Sequence, residues 1–105
     1  MYQNISNQEF SRLTREGNVI VIDVRTPGEV AEGYIPSANH FIDINNEPFE
    51  EKIKSFDHSK DYIVYCRSGA RSAKACRIME ADGFNGKLYN LGMGIMSWDG
   101  DVKTP

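Results

Sequence analysis

Tyr62-Ile63-Val64-Tyr65-Cys66-Arg67-Ser68-Gly69-Ala70-Arg71-Ser72 is the stretch that decides the fold class. Its first five residues are apolar at successive positions rather than at alternate ones. A strand of that kind has both faces covered, which is the signature of a central strand in a parallel sheet. The six residues that follow are polar or small, with Gly69 among them. They lead into a helical pattern that places Ala73, Cys76 and Met79 along one face and is expected to end near Gly83. Strand, short loop and helix is the unit from which parallel sheets are built.

The same alternation extends outward along the chain. Val19-Ile20-Val21-Ile22-Asp23-Val24 is a second buried-strand run, bounded by Gly17-Asn18 and Pro27. Ahead of it, Ser6 and Glu9 form a capping box for a first helix carrying Phe10 and Leu13, with Gly17 as its C-cap. Thr26 and Glu29 repeat the capping logic around Pro27, and a short helix is expected to stop at Gly33. Residues 39–44 make a weaker strand candidate. Residues 47–56 read as a helix capped by Asn46, with Phe49, Ile53 and Phe56 on one side, and residues 87–91 read as a last strand. These elements predict an α/β domain with a mainly parallel sheet and helices on its faces, spanning residues 1–105 as one unit.

Bulk properties narrow the function. Twelve basic against fifteen acidic residues give a formal charge of −3, so no electrostatic drive toward nucleic acid or an anionic membrane is expected. The N-terminal residues lack the basic and apolar regions of a secretory signal, and no run approaches the roughly 20 apolar residues of a membrane helix. The expectation is a soluble cytoplasmic protein with its two cysteines as free thiols.

The chemistry concentrates at Cys66. In open parallel sheets ligands bind at the carboxyl ends of strands, where both Asp23 and Cys66 are expected. A helix opening directly after Cys66 would turn its unpaired amides and the positive end of its dipole toward the sulfur. Arg67 and Arg71 add full charges, and Gly69 suits a backbone that must turn back on itself. Each of these favours thiolate over thiol, and the same groups would bind a small oxyanion such as thiosulfate, sulfite or phosphate. Cys76 lies on the helix face expected to pack on the sheet, which makes it an inert buried thiol. His40 and His58 show no spacing that suggests a metal site, and no metal or other cofactor is implied.

Residues 66–72, CRSGARS, resemble the active-site loop of single-domain rhodaneses, the sulfurtransferases. Asp23-Val24-Arg25 is similar to that family's Asp-x-Arg strand end. EVAEGYIPSA at 29–38 resembles its E-x-x-x-G-H-I-P-G-A segment, and residues 91–98 its closing L-x-G-G-x-x-x-W stretch. Tyr34, Ser37 and Met93 depart from the family pattern. The resemblance implies a rhodanese-like three-layer fold with a five-stranded sheet. It implies Cys66 as the nucleophile that takes sulfane sulfur from a small anionic donor such as thiosulfate. The sulfur would pass as a persulfide to cyanide or to a thiol or dithiol, possibly on a protein. Arg67, Ser68, Gly69, Ala70, Arg71 and Ser72 would bind substrate, while Asp23, Arg25 and Trp98 would support the pocket.

Two other readings stay open on the residues. Cys-based phosphatases and arsenate reductases use a Cys-x5-Arg loop, whereas Arg71 closes Cys-x4-Arg here. A non-catalytic or persulfide-carrying module that serves a partner protein fits the same residues.

Overall fold

The computed structural model describes residues 1–46 and 48–105. Five strands form one parallel sheet: β1 (Gln3–Ile5), β2 (Val19–Asp23), β3 (His40–Phe41), β4 (Asp61–Tyr65) and β5 (Leu88–Leu91), in the order β1-β5-β4-β2-β3. Among the described residues, four α-helices connect them: α1 (Asn7–Glu16), α2 (Pro27–Ala31), α3 (Phe49–Ile53) and α4 (Ala70–Ala81). A 3-10 turn at Ile95–Ser97 follows β5.

Strand alternation divides the core in two. Ile22, Val24, Tyr62, Val64 and Cys66 point to the face covered by α3 and α4, where they meet Ile53, Cys76 and Met79. Val21, Ile63 and Tyr65 point to the other face, against Phe10 of α1 and Ile35. Each aliphatic side chain buried this completely contributes about 1.5–3 kcal/mol. The β2–β4 register pairs Ile22 with Val64 and Asp23 with Tyr65. Cys66, one residue beyond, therefore shares Asp23's end of the sheet but lies on the opposite face.

The capping boxes at Ser6–Glu9 and Thr26–Glu29 both form, and Gly17 caps α1 in the left-handed region at φ 81°. Several boundaries differ from expectation. The expected start of the third helix at Glu47 lies outside the described residues. The helix itself occupies Phe49–Ile53, and its N-cap is Pro48 rather than Asn46. The Pro48 carbonyl accepts from the amides of Glu51 and Lys52 and so takes over the capping turn. Phe56 falls beyond the helix because its amide bonds the Ile53 carbonyl in a tight turn. That turn stacks the Phe56 ring near Tyr62.

The strand expected over 39–44 shrinks to β3: the Asn39 amide still bonds the Val21 carbonyl at 2.8 Å, but the return bond from Val21 goes to the Asn39 side chain. Its Oδ1 accepts from the Val21 amide at 2.8 Å. On α4 the buried stripe is Ser72, Ala75, Cys76 and Met79, with Ala73 only half-buried. β1 was not anticipated: two of its three residues are exposed, so it carries no apolar run.

At the end of the sheet away from Cys66, His58 stacks on Phe84 with ring centroids 3.9 Å apart. Its ring bonds the Phe56 carbonyl (2.7 Å) and Asp82 (3.0 Å). The Phe56 carbonyl, against some burial and with help from Asp82, raises the His58 pKa above its ordinary value. A raised folded-state pKa stabilises most below the unfolded value of about 6.5, and the advantage fades as pH rises through the folded value. The melting temperature of wild type over His58→Ala should accordingly show its widest gap below about pH 6 and narrow toward pH 8. A gap that does not vary with pH would show that His58 acts through stacking alone.

Candidate active site

Cys66 follows β4 directly, and its Sγ is surrounded by hydrogen-bond donors. The Gly69 amide lies 3.1 Å away, the Ser72 amide 3.4 Å and the Ser72 hydroxyl 3.3 Å. Burial of Cys66 works against ionisation. The Ser72 hydroxyl and the amides of Ser72, Gly69 and Ser68 outweigh it, so the thiol's pKa is lowered from the ordinary value. Cys76, buried in the core without comparable donors, is pushed up to about 12 by burial and Glu80.

Close backbone contacts hold the loop in place. Gly69, the N-cap of α4, has φ 100°, and a β-carbon there would sit 2.2 Å from the Gly92 carbonyl oxygen. A β-carbon on Gly94 would sit 2.1 Å from the carbonyl oxygen of Arg67. The amides of Ile95 and Met96 donate to the carbonyls of Cys66 (2.9 Å) and Arg67 (3.0 Å). Asn90 of β5 donates from Nδ2 to the Gly69 carbonyl (3.1 Å) and to Asn4 Oδ1 (3.0 Å), which links loop, β5 and β1. Sequence reading missed Asn90. Its signal was a polar residue inside an otherwise buried strand, which requires a partner.

The arginines sit differently from the expected anion clamp. Arg71 forks onto Glu29 through Nη1–Oε1 (2.8 Å) and Nη2–Oε2 (2.9 Å). Glu29 is itself fixed by the amide and hydroxyl of Thr26. Arg71, against some burial and with help from Thr26, lowers the Glu29 pKa to about 2. Arg25 is buried, with Nη2 2.7 Å from Asp23 Oδ2, and it also donates to the carbonyls of Glu29 (3.3 Å) and Gly33 (2.8 Å). Its guanidinium lies over the Tyr65 ring, 5.6 Å from the centroid. Asp23 and Arg25 thus tie the end of β2 to α2, on the far face of the sheet from the sulfur. Arg67 is exposed and makes no ion pair among the described residues.

Ser68 and Ala70 are exposed on the rim of the loop. Trp98 does not reach it. Its ring packs edge-on against Phe10 at 4.9 Å and its Nε1 donates to the Asp101 carbonyl at 3.0 Å. It braces the segment that holds the Cys66 carbonyl. His40 and His58 lie outside the loop, and among the described residues no cluster of three metal-ligating side chains occurs. A cavity of about 440 Å³ beside the loop is lined by Arg25, Glu29, Glu32, Arg67, Ile95 and Met96, among others. A second, mostly apolar cavity of about 390 Å³ lies between α2 and Phe41.

The rhodanese-like domain profile matches residues 6–101, a span that includes the strand-to-helix turn around Cys66. The chain belongs to the rhodanese family. A sulfurtransferase of Allochromatium vinosum is 36% identical over 103 residues, covering 93% of this chain and 89% of that protein. A thiosulfate sulfurtransferase GlpE of Coxiella burnetii is 29% identical over 98 residues, covering 93% and 88%. Among solved structures, a rhodanese-like domain protein from Staphylococcus aureus superposes with a TM-score of 0.83 at 32% identity, covering 100% of this chain and 99% of that one. The parallel five-stranded α/β architecture is the rhodanese-like fold.

Two substitutions probe this rhodanese loop. Ser72→Ala removes a donor to the sulfur, so the pH midpoint of Cys66 alkylation should move upward and the rate at pH 7 should fall several-fold. Iodoacetamide kinetics on a Cys76→Ser background measure this. Gly69→Ala should cost about 1–3 kcal/mol in backbone strain alone, and more from the Gly92 contact, read as a lower denaturation midpoint.

Proposed function

We propose that this protein is a sulfurtransferase in which Cys66 carries the sulfur. The observation that supports this best is the ring of donors on Cys66 Sγ, which stabilises a negative sulfur without any metal or general base. A persulfide formed there places its outer, negative sulfur at the mouth of the loop formed by Arg67, Ser68, Gly69, Ala70, Arg71 and Ser72. The main-chain amides of that loop would receive the leaving anion.

With thiosulfate as donor, the Cys66 thiolate attacks the outer sulfur. A new S–S bond forms, the S–S bond of thiosulfate breaks, and sulfite leaves with the electron pair. Cyanide or a thiol then attacks the outer sulfur of the persulfide and restores the thiolate. Because the enzyme is modified between two half-reactions, ping-pong kinetics follow. Cys66 is fully buried, so either substrate reaches it only as the exposed rim at Arg67 and Ser68 gives way. Asp23 and Arg25 support the site by anchoring α2, and Trp98 acts at one remove.

The engagement of Arg71 by Glu29 weighs against phosphoryl chemistry. A phosphatase loop needs its closing arginine free to fork onto the phosphate.

Intact mass after incubation with thiosulfate tests the proposal. Wild type should gain the mass of one sulfur and lose it on addition of cyanide, while folded Cys66→Ser should gain nothing. A stable adduct that no acceptor removes would favour a persulfide-carrying module over a turnover enzyme. An unmodified wild type would overturn the sulfur-transfer reading.

A further inference from the structure

Three apolar side chains, Ile95, Met96 and Val102, line the cavity of about 440 Å³ beside the Cys66 loop. Met96 is 62% exposed and Val102 52%, so two of the few large hydrophobic side chains left open to solvent converge on this one cavity. Exposed apolar groups gathered at one concave site mark a binding surface, because each gains by leaving water. Their positions are set by the main chain. The Ile95 amide donates to the Cys66 carbonyl (2.9 Å) and the Met96 amide to the Arg67 carbonyl (3.0 Å), which ties both residues to the backbone that carries the sulfur. Val102 is held from the other side. The next residue, Lys103, bonds Tyr34 through amide and carbonyl, each at 2.8 Å, and a β-carbon on Gly33 would sit 2.5 Å from Val102 Cγ1. Neither thiosulfate nor cyanide has hydrocarbon to place against these three side chains. A thiol acceptor has it, in the carbon chain that bears its sulfur.

We infer that Ile95, Met96 and Val102 form a subsite for the hydrocarbon body of the acceptor, and that the acceptor class is a thiol carried on an aliphatic chain. This rests on the sulfur-transfer reading above and extends it to the second half-reaction. The acceptor thiolate forms a bond to the outer sulfur of the Cys66 persulfide. The S–S bond within that persulfide breaks, and its electron pair returns to Cys66 as thiolate. The product R–S–SH leaves with the proton that the outer sulfur carried, so no further reactant is needed. Complete burial of one methylene is worth about fourfold in rate, and an open cavity that covers about half of it gives about twofold.

The test isolates that half-reaction. Cys66 persulfide is formed with thiosulfate and freed of the donor. Its loss is then followed by intact mass with mercaptopropanol, mercaptobutanol, mercaptopentanol and mercaptohexanol at equal thiolate concentration. The second-order rate constant should rise about twofold per methylene, or about eightfold across the series. In the double variant Met96→Ser, Val102→Ser the rise should nearly vanish, while the rate with cyanide stays as in wild type. Met93→Ser removes a similarly exposed methionine that lines a different cavity, with Ile5 and Ser97, and should keep the full rise. A wild-type rate that does not climb with chain length overturns the inference, and this reading stands even if the double variant does not fold. A climb that survives loss of both side chains overturns it as well. A merely structural role would lower the rates with cyanide and all four thiols in proportion and leave the climb intact. If thiosulfate places no sulfur on wild-type Cys66, the sulfur-transfer reading itself fails and this inference falls with it, whereas a persulfide that decays independently of chain length sinks this inference alone.

Discussion

Gly69 meets the Gly92 carbonyl, and Gly94 meets the Arg67 carbonyl, at separations that leave no room for a β-carbon on either glycine. This double approach of two backbones fixes the loop after β4 against the exit of β5. From it follow the left-handed turn at Gly69, the start of α4 at Ala70, and the aim of two amides and one hydroxyl at a single sulfur. The amide donors are set by main-chain packing, and the same packing places the Ser72 hydroxyl beside them. They are in place before any substrate arrives, which is the condition for electrostatic stabilisation without reorganisation.

That origin changes the account of why Cys66 ionises. Sequence reasoning credited the arginines alongside the helix amides and dipole. In the structure Arg71 is spent on Glu29 and Arg67 stands in solvent, while burial opposes the charge and hydrogen bonds overcome it. Hydrogen bonds aimed at a buried charge act at full strength, whereas an exposed guanidinium is screened. The arginines instead organise the surroundings. Arg25 ties the end of β2 to α2, and Arg71 ties α2 to α4, so the two helices beside the loop are joined through side chains 42 residues apart.

How much of this was legible depended on how local each signal was. The two buried strands, both capping boxes and the Cys66 loop rest on contiguous residues, and they read correctly from the chain. The capping box at Thr26–Glu29 was visible, but the second duty of Glu29 toward Arg71 was not, because no local pattern encodes a contact between two helices. Ser72 displaced Ala73 from the buried stripe of α4 because a hydroxyl can bond the sulfur, a tertiary reason that hydrophobic spacing does not carry. β1 escaped for a related cause. Exposed Gln3 and Asn4 become a strand only because β5 offers its free edge.

The two ends of the sheet are both strands of minimal length, three residues in β1 and two in β3. An unpaired edge is a template on which a second chain can build more sheet, and the number of main-chain bonds it offers grows with its length. Here the long apolar strands β2 and β4 sit in the interior of the order, and what faces outward is too short to nucleate such growth. The fold thus keeps 61–65 out of reach of neighbouring molecules while it stays folded, and of 19–23 it leaves only Val19 and Ile20, half-buried, beyond the cover of β3 and Asn39.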